Sequence, residues 1–198
     1  MHFAKHFLVA GGLITALLAA PSAIAQIPSE LLQGGGGGQG SLYSDAFYKS
    51  KDGYWVLMRS REDNGLRCSV SYIMLDSLYA IHGPGNAEEA SRGAGQIWFS
   101  GDKIRSPAAT EQVEIVINAR GKTVTYPTAL VKIVPNRGTF VMFLDVKNYL
   151  RKVIKKGEDT DEFTVRLEGK EVYAVKLPQL QKAYRMLDKC MASGGAKQ

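Results

Sequence analysis

Outside its first twenty-five residues, the chain carries few side chains suited to chemistry: two cysteines, one histidine and some short acidic clusters. Cys68 and Cys190 are far apart and lack the C-x-x-C spacing of a dithiol redox centre. In an oxidising compartment a lone pair of this kind predicts one structural disulfide. His82 lies in His82-Gly83-Pro84-Gly85 and reads as a solvated loop histidine. A single histidine does not build the usual zinc sites, and no G-x-S-x-G nucleophile elbow is present. Two carboxylates suffice for glycoside hydrolysis, so the acidic clusters are the residues that could fill that role. Glu158-Asp159-Asp161-Glu162 lacks the ligand spacing and mid-loop glycine of an EF-hand, and reads as a solvated turn partly neutralising Lys155 and Lys156. Glu88-Glu89 falls in the stretch Asp76 to Gly95, which reads as a long loop. The motifs therefore point to no catalytic residue, cofactor or metal ligand.

The charge has one notable concentration. Lys147, Arg151, Lys152, Lys155 and Lys156 fill one face of a helical pattern. Such a face can dock on lipid headgroups, lipopolysaccharide or acidic glycans, or serve only as the wet side of a helix packed on a sheet. The whole chain carries +6, of which Lys5 contributes one, and this excess is also ordinary for solubility. Tyrosines among the bases do not make a nucleic-acid groove, because no recognition motif accompanies them and the chain reads as exported.

Export is the reading of the N-terminus. Lys5, an apolar run from Phe7 to Ala20 and Ala23-Ile24-Ala25 follow the order of a secretory signal peptide, with cleavage before Gln26. The apolar run is short for a membrane span, so no transmembrane segment is expected in the mature chain. The expected organisation is a signal peptide over 1–25, a glycine-rich linker over 26–42 built around Gly34 to Gly38, one β-rich domain over 43–192 and a flexible tail over 193–198. The expected location is the periplasm or the exterior.

Between these boundaries the patterning is mostly that of strands. Tyr54 to Arg59 and Leu66 to Met74 are rich in aromatic and β-branched residues around an Asp63-Asn64-Gly65 turn, with Cys68 on the inward face alongside Leu66, Val70 and Tyr72. Trp55 and Trp98 read as core residues. Ile97 to Ser100 is a short strand, and Gln112 to Ala119 alternates cleanly. Thr123 to Tyr126, Leu130 to Val134 and Thr139 to Leu144 follow as separate strands, and Phe163 to Leu167 pairs with Glu171 to Leu177 across Glu168-Gly169-Lys170. The period switches to helical over Asp145 to Lys156, with Asp145 as cap and Gly157 as stop. It switches again over Pro178 to Met191, where Leu180, Ala183, Tyr184, Leu187 and Cys190 form one stripe and Pro178 suits the first turn. The fold class is mainly β, an antiparallel sandwich or barrel with a short helix near 145–156 and a C-terminal helix near 178–191.

The order of several short motifs resembles the invasion-associated locus B family of exported proteins from Gram-negative α-proteobacteria. They are Trp55-Val56-Leu57, then Cys68, Asn118 to Lys122, the helix after Leu144-Asp145, and Tyr173 to Leu177 leading into Leu180-Gln181-Lys182-Ala183-Tyr184. The family's cysteine after the tryptophan strand is missing from Met58 to Ser60, and its mid-domain pair from residues 101–145. No binding residue is carried over. The resemblance implies a small, non-enzymatic periplasmic or surface β-domain, linked in relatives to host-cell invasion. The functional expectation is an exported, non-catalytic domain that binds a protein or an anionic component of the envelope or a host cell. A carboxylate-based periplasmic glycan hydrolase is the alternative, and a secreted enzyme inhibitor presenting Leu78 to Gly95 is a third.

Overall fold

A computed structural model describes residues 41–62, 65–134 and 136–194. The expected leader, all but the end of the glycine-rich linker, Asp63-Asn64, Pro135 and residues 195–198 lie outside this set. The strands are β1 (Ser41–Lys49), β2 (Tyr54–Glu62), β3 (Gly65–Ile73), β4 (Ser77–His82), β5 (Ala94–Gly101), β6 (Glu111–Ala119), β7 (Lys122–Val134), β8 (Arg137–Asp145), β9 (Thr160–Leu167) and β10 (Lys170–Pro178). The helices are α1 (Ala87–Arg92), α2 (Val146–Lys156) and α3 (Leu180–Ala192). All strand pairs are antiparallel, in one sheet ordered β1-β2-β3-β4-β5-β8-β7-β6-β9-β10. The mainly antiparallel β class holds. The sheet is open: β1 and β10 end the order, and among the described residues they do not pair with each other.

The sheet curls so that its two halves share one core. Phe99 on β5 lies 5.4 Å from Phe163 on β9 and 5.6 Å from Tyr173 on β10, ring centre to ring centre. Such tilted and edge-on contacts suit the aromatic quadrupole. Trp55, fully buried on β2, donates its indole N–H to the Pro178 carbonyl at 2.6 Å, which ties the first half to the end of β10. The same inward alternation puts Cys68, Val70 and Tyr72 in the core. Trp98 differs: it is half-buried on the opposite face, beside the small cluster Ala129, Val131 and Val141.

The C-terminal helix closes over β2 and β3. Its Leu180, Ala183, Tyr184, Leu187 and Cys190 are all buried, the i, i+3, i+4, i+7 stripe expected of a helix lying on a sheet. Cys190 is bonded to Cys68 with Cα atoms 6.0 Å apart, across 122 positions. Chain-entropy arguments assign closure of so long a loop about 5 kcal/mol. Gln181 donates through one amide nitrogen to the Val153 and Glu158 carbonyls at 2.9 and 3.0 Å. It thereby supplies a partner for one of the unpaired carbonyls at the end of α2.

Four expectations on element boundaries need correction. The stretch Asp76 to Gly95 contains strand β4 and helix α1, so it is no protruding loop. Thr123 to Tyr126 and Leu130 to Val134 belong to one thirteen-residue strand. Pro178 ends β10, and Gln179, at φ 54°, turns the chain into α3. The first described strand begins at Ser41, ahead of the expected domain start, because β1 pairs along β2.

Candidate functional site

The sheet splits at one place. β7 pairs with β8 only from Ala129 onward, matched to Val141, although β7 itself starts at Lys122 and β8 continues to Asp145. Below that point β7 follows β6, and β8 follows β5. Pro127, without an N–H to give to a ladder, stands two residues before the last β7–β8 pair. Thr128, buried beside it, donates its hydroxyl to the Val141 carbonyl at 2.8 Å and closes the apex of the split.

A cleft of about 640 Å³ opens at the split. Val124 and Tyr126 on β7 and Phe143 on β8 line its mouth, 46, 42 and 42 % exposed, and are three of the five large apolar side chains that stay exposed among the described residues. Its apolar wall reaches inward to Ile97, Phe99, Ile117, Met142 and Phe163. Helix α2 borders it with Tyr149, Val153 and Lys156, placed there by a well-formed helix start: the Asp145 carboxylate accepts the Asn148 N–H at 2.9 Å.

Three tyrosine hydroxyls meet in the wall. Tyr184 on α3 is 3.0 Å from the Tyr79 hydroxyl and 3.2 Å from that of Tyr149. Burial is the main cause that raises the pKa of all three phenols above the ordinary value, so they stay protonated. Two hydrogen bonds use two of the three protons in the chain and leave one to donate. Neutral, mutually bonded hydroxyls make a poor nucleophile and a wall that tolerates an apolar neighbour.

The rim is charged. Arg120, at φ 53° in the β6–β7 turn, pairs with Glu158 and, at 3.0 Å, with Asp161. The expected neutralisation of Lys155 and Lys156 by this acidic turn is thus replaced by a bridge to Arg120. Asp159 does different work, accepting the Gln181 N–H at 3.3 Å at the start of α3, where no side chain of the helix's own cap residue does so. Lys122 and Lys156 also line the cleft, and neither is ion-paired among the described residues.

The basic helix face is divided by the fold. Lys147, Arg151 and Lys155 border a second groove of about 600 Å³ between α2 and α3, opposite Asp188, and Lys147 donates to the Ala90 carbonyl at 3.2 Å. Lys152 is exposed away from both openings, and Lys156 belongs to the cleft. His82 is at the end of β4, its ring centre 4.1 Å from that of Trp98 and its Nε2 buried, which corrects the solvated-loop reading. Burial, with the Arg67 charge second, pushes its pKa down to about 3. Glu89 joins Arg67 at 3.4 Å and accepts the Gly85 N–H at 2.7 Å, a clasp that fixes α1 rather than a reactive pair.

Among the described residues no group of three His, Cys, Asp or Glu side chains converges to hold a metal, and no helix is long and apolar enough to cross a membrane. The chain has no significant match among protein-family models, curated proteins or solved structures. The fold and cleft define an open antiparallel β-domain with a ligand-sized, mostly apolar opening.

Proposed function

We propose that the mature chain is an exported, non-catalytic binding domain of the periplasm or cell exterior, and that it receives an elongated apolar group of its partner in the split between β7 and β8. The cleft carries this reading. Its volume lies within the ~300–1,000 Å³ of small-molecule sites, and it combines apolar walls with few polar groups, the usual composition of such sites. The signal-like leader and the disulfide support an oxidising location.

The competing hydrolase reading has a specific foothold, since Glu158 and Asp161 both border the cleft. A glycosidase holds its two carboxylates apart, about 5–9.5 Å, on either side of a scissile bond. Here both acids converge on the Arg120 guanidinium, which favours a structural rim over a cleaving pair. The inhibitor reading loses its protruding loop to β4 and α1.

Fluorescence of N-phenyl-1-naphthylamine, a neutral dye that brightens in apolar surroundings, tests the reading. The wild-type mature chain should bind the dye saturably at one site. Val124→Asp should abolish binding with an unchanged melting temperature, since exposed substitutions shift stability by only about 0.5 kcal/mol. No saturable binding by the wild type, or equal binding by the variant, would refute it.

A further inference from the structure

We infer that the occupant of the cleft is a single-chain anionic amphiphile, a long-chain fatty acid, with its tail along the wall from Val124 to Phe99 and its carboxylate at Lys122 and Lys156. The inference rests on the binding reading above and adds the ligand's chemistry. Charge is the first argument. Arg120 is occupied by Glu158 and Asp161, so the rim's acids are taken up within the protein. Lys122 and Lys156 remain as cations on the cleft lining with no ion pair among the described residues. An anionic head is complementary to them, a neutral head gains nothing from their charge, and a cationic head is repelled.

Size is the second argument. A methylene takes up roughly the ~30 Å³ that a water occupies in the liquid. One sixteen-carbon chain then fills most of the about 640 Å³, and two chains do not fit. The wall chemistry is the third. The three tyrosine hydroxyls bond to one another at 3.0 and 3.2 Å, so the tail passes polar atoms that already have partners.

Displacement of the bound neutral dye separates this inference from the reading beneath it. Palmitate should displace the dye at a concentration at least tenfold lower than hexadecanol or hexadecylamine. Across saturated acids of ten to sixteen carbons, each methylene should tighten binding about fourfold, which is ~0.8 kcal/mol at ~1.36 kcal/mol per decade. In Lys122→Glu/Lys156→Glu the advantage of palmitate over hexadecanol should vanish while hexadecanol still competes, which also shows that the variant is folded. If hexadecanol matches palmitate in the wild type, or the double variant keeps the carboxylate preference, the inference is wrong. If the dye binds and no chain displaces it, the inference fails while the cleft reading stands. If the dye itself does not bind, both fail.

Discussion

The two ends of the β7–β8 pair are built in opposite ways. At the hairpin end the chain covers its own core: Ile104, buried in the crossing segment between β5 and β6, packs there and its carbonyl accepts the Gly138 N–H at 3.1 Å. A side chain at Gly138 has no room, as its Cβ would stand 2.1 Å from the Arg105 carbonyl oxygen. Thr139 donates to Ser100 at 3.0 Å, and Arg137 pairs with Asp102. At the other end the same strands part, Val124, Tyr126 and Phe143 stay exposed, and nothing among the described residues fills the opening. One end is specified for stability. The other keeps apolar surface in contact with water, a cost that the proposed binding role explains.

That contrast predicts mutations with separable effects. Ile104→Ala at the closed end should have the largest effect on stability, about 2–5 kcal/mol. This corresponds to a fall in melting temperature of about 5–15 °C, and dye affinity at the split end should be unchanged below the transition. A stability loss accompanied by equal loss of affinity would mean the two ends are not independent.

Tyr184→Phe probes the wall of the split end. It deprives Tyr79 and Tyr149 of their common partner, and leaving a buried hydroxyl unsatisfied costs about 1–3 kcal/mol. Thermal melts should register that loss, and Tyr79→Phe/Tyr184→Phe together should lose less than the sum of the single variants. Strict additivity would show that the hydroxyls do not act as a chain.

Outside the split, His82 makes stability depend on acid. Its folded pKa of about 3 is below the ordinary 6.5, so between these values the unfolded chain takes up a proton that the fold does not. Stability contributed by neutral His82 is complete above pH 6.5 and is lost as pH falls towards about 3, at up to ~1.4 kcal/mol per pH unit. Urea unfolding across that window should be less pH-dependent in His82→Gln than in the wild type; identical slopes would remove His82 as the cause.

The smallest effect belongs to the outer face of α2. Arg151→Glu/Lys152→Glu should weaken binding to anionic vesicles at low salt with no change in dye affinity. Binding by the wild type should fade as salt rises, since the Debye length is only about 10 Å at 0.1 M. Vesicle binding that survives the double variant would leave this face as a solvated helix surface.

Much of the scaffold is legible in the sequence because it is periodic. Leu66, Cys68, Val70 and Tyr72 alternate, and Leu180 to Cys190 repeats at helical spacing, so two local patterns place the two cysteines on facing surfaces. β4 escapes detection because Ser77 to His82 is short and is followed by Gly83-Pro84-Gly85, which reads as loop. The single strand β7 is hidden by Pro127, which local rules take as a break and which the fold accommodates where pairing to β8 ends. The cleft has no local signature at all. Its tyrosines stand at 79, 149 and 184, on β4, α2 and α3, and come together only when the sheet curls under the helices. Arg120 sits in a hairpin turn visible in the sequence, but its bridge to Glu158 and Asp161 depends on β6 pairing with β9.

Side-chain methyl spectra of the isotopically labelled mature chain, titrated with N-phenyl-1-naphthylamine, test the central claim most directly. Resonances of Ile117, Val124, Met142 and Val153 should move together along one saturation curve, while those of Ile104, Val70 and Leu187 stay fixed. Movement confined to Met191 and Ala192, which border the groove between α2 and α3, or no movement anywhere, would contradict the account.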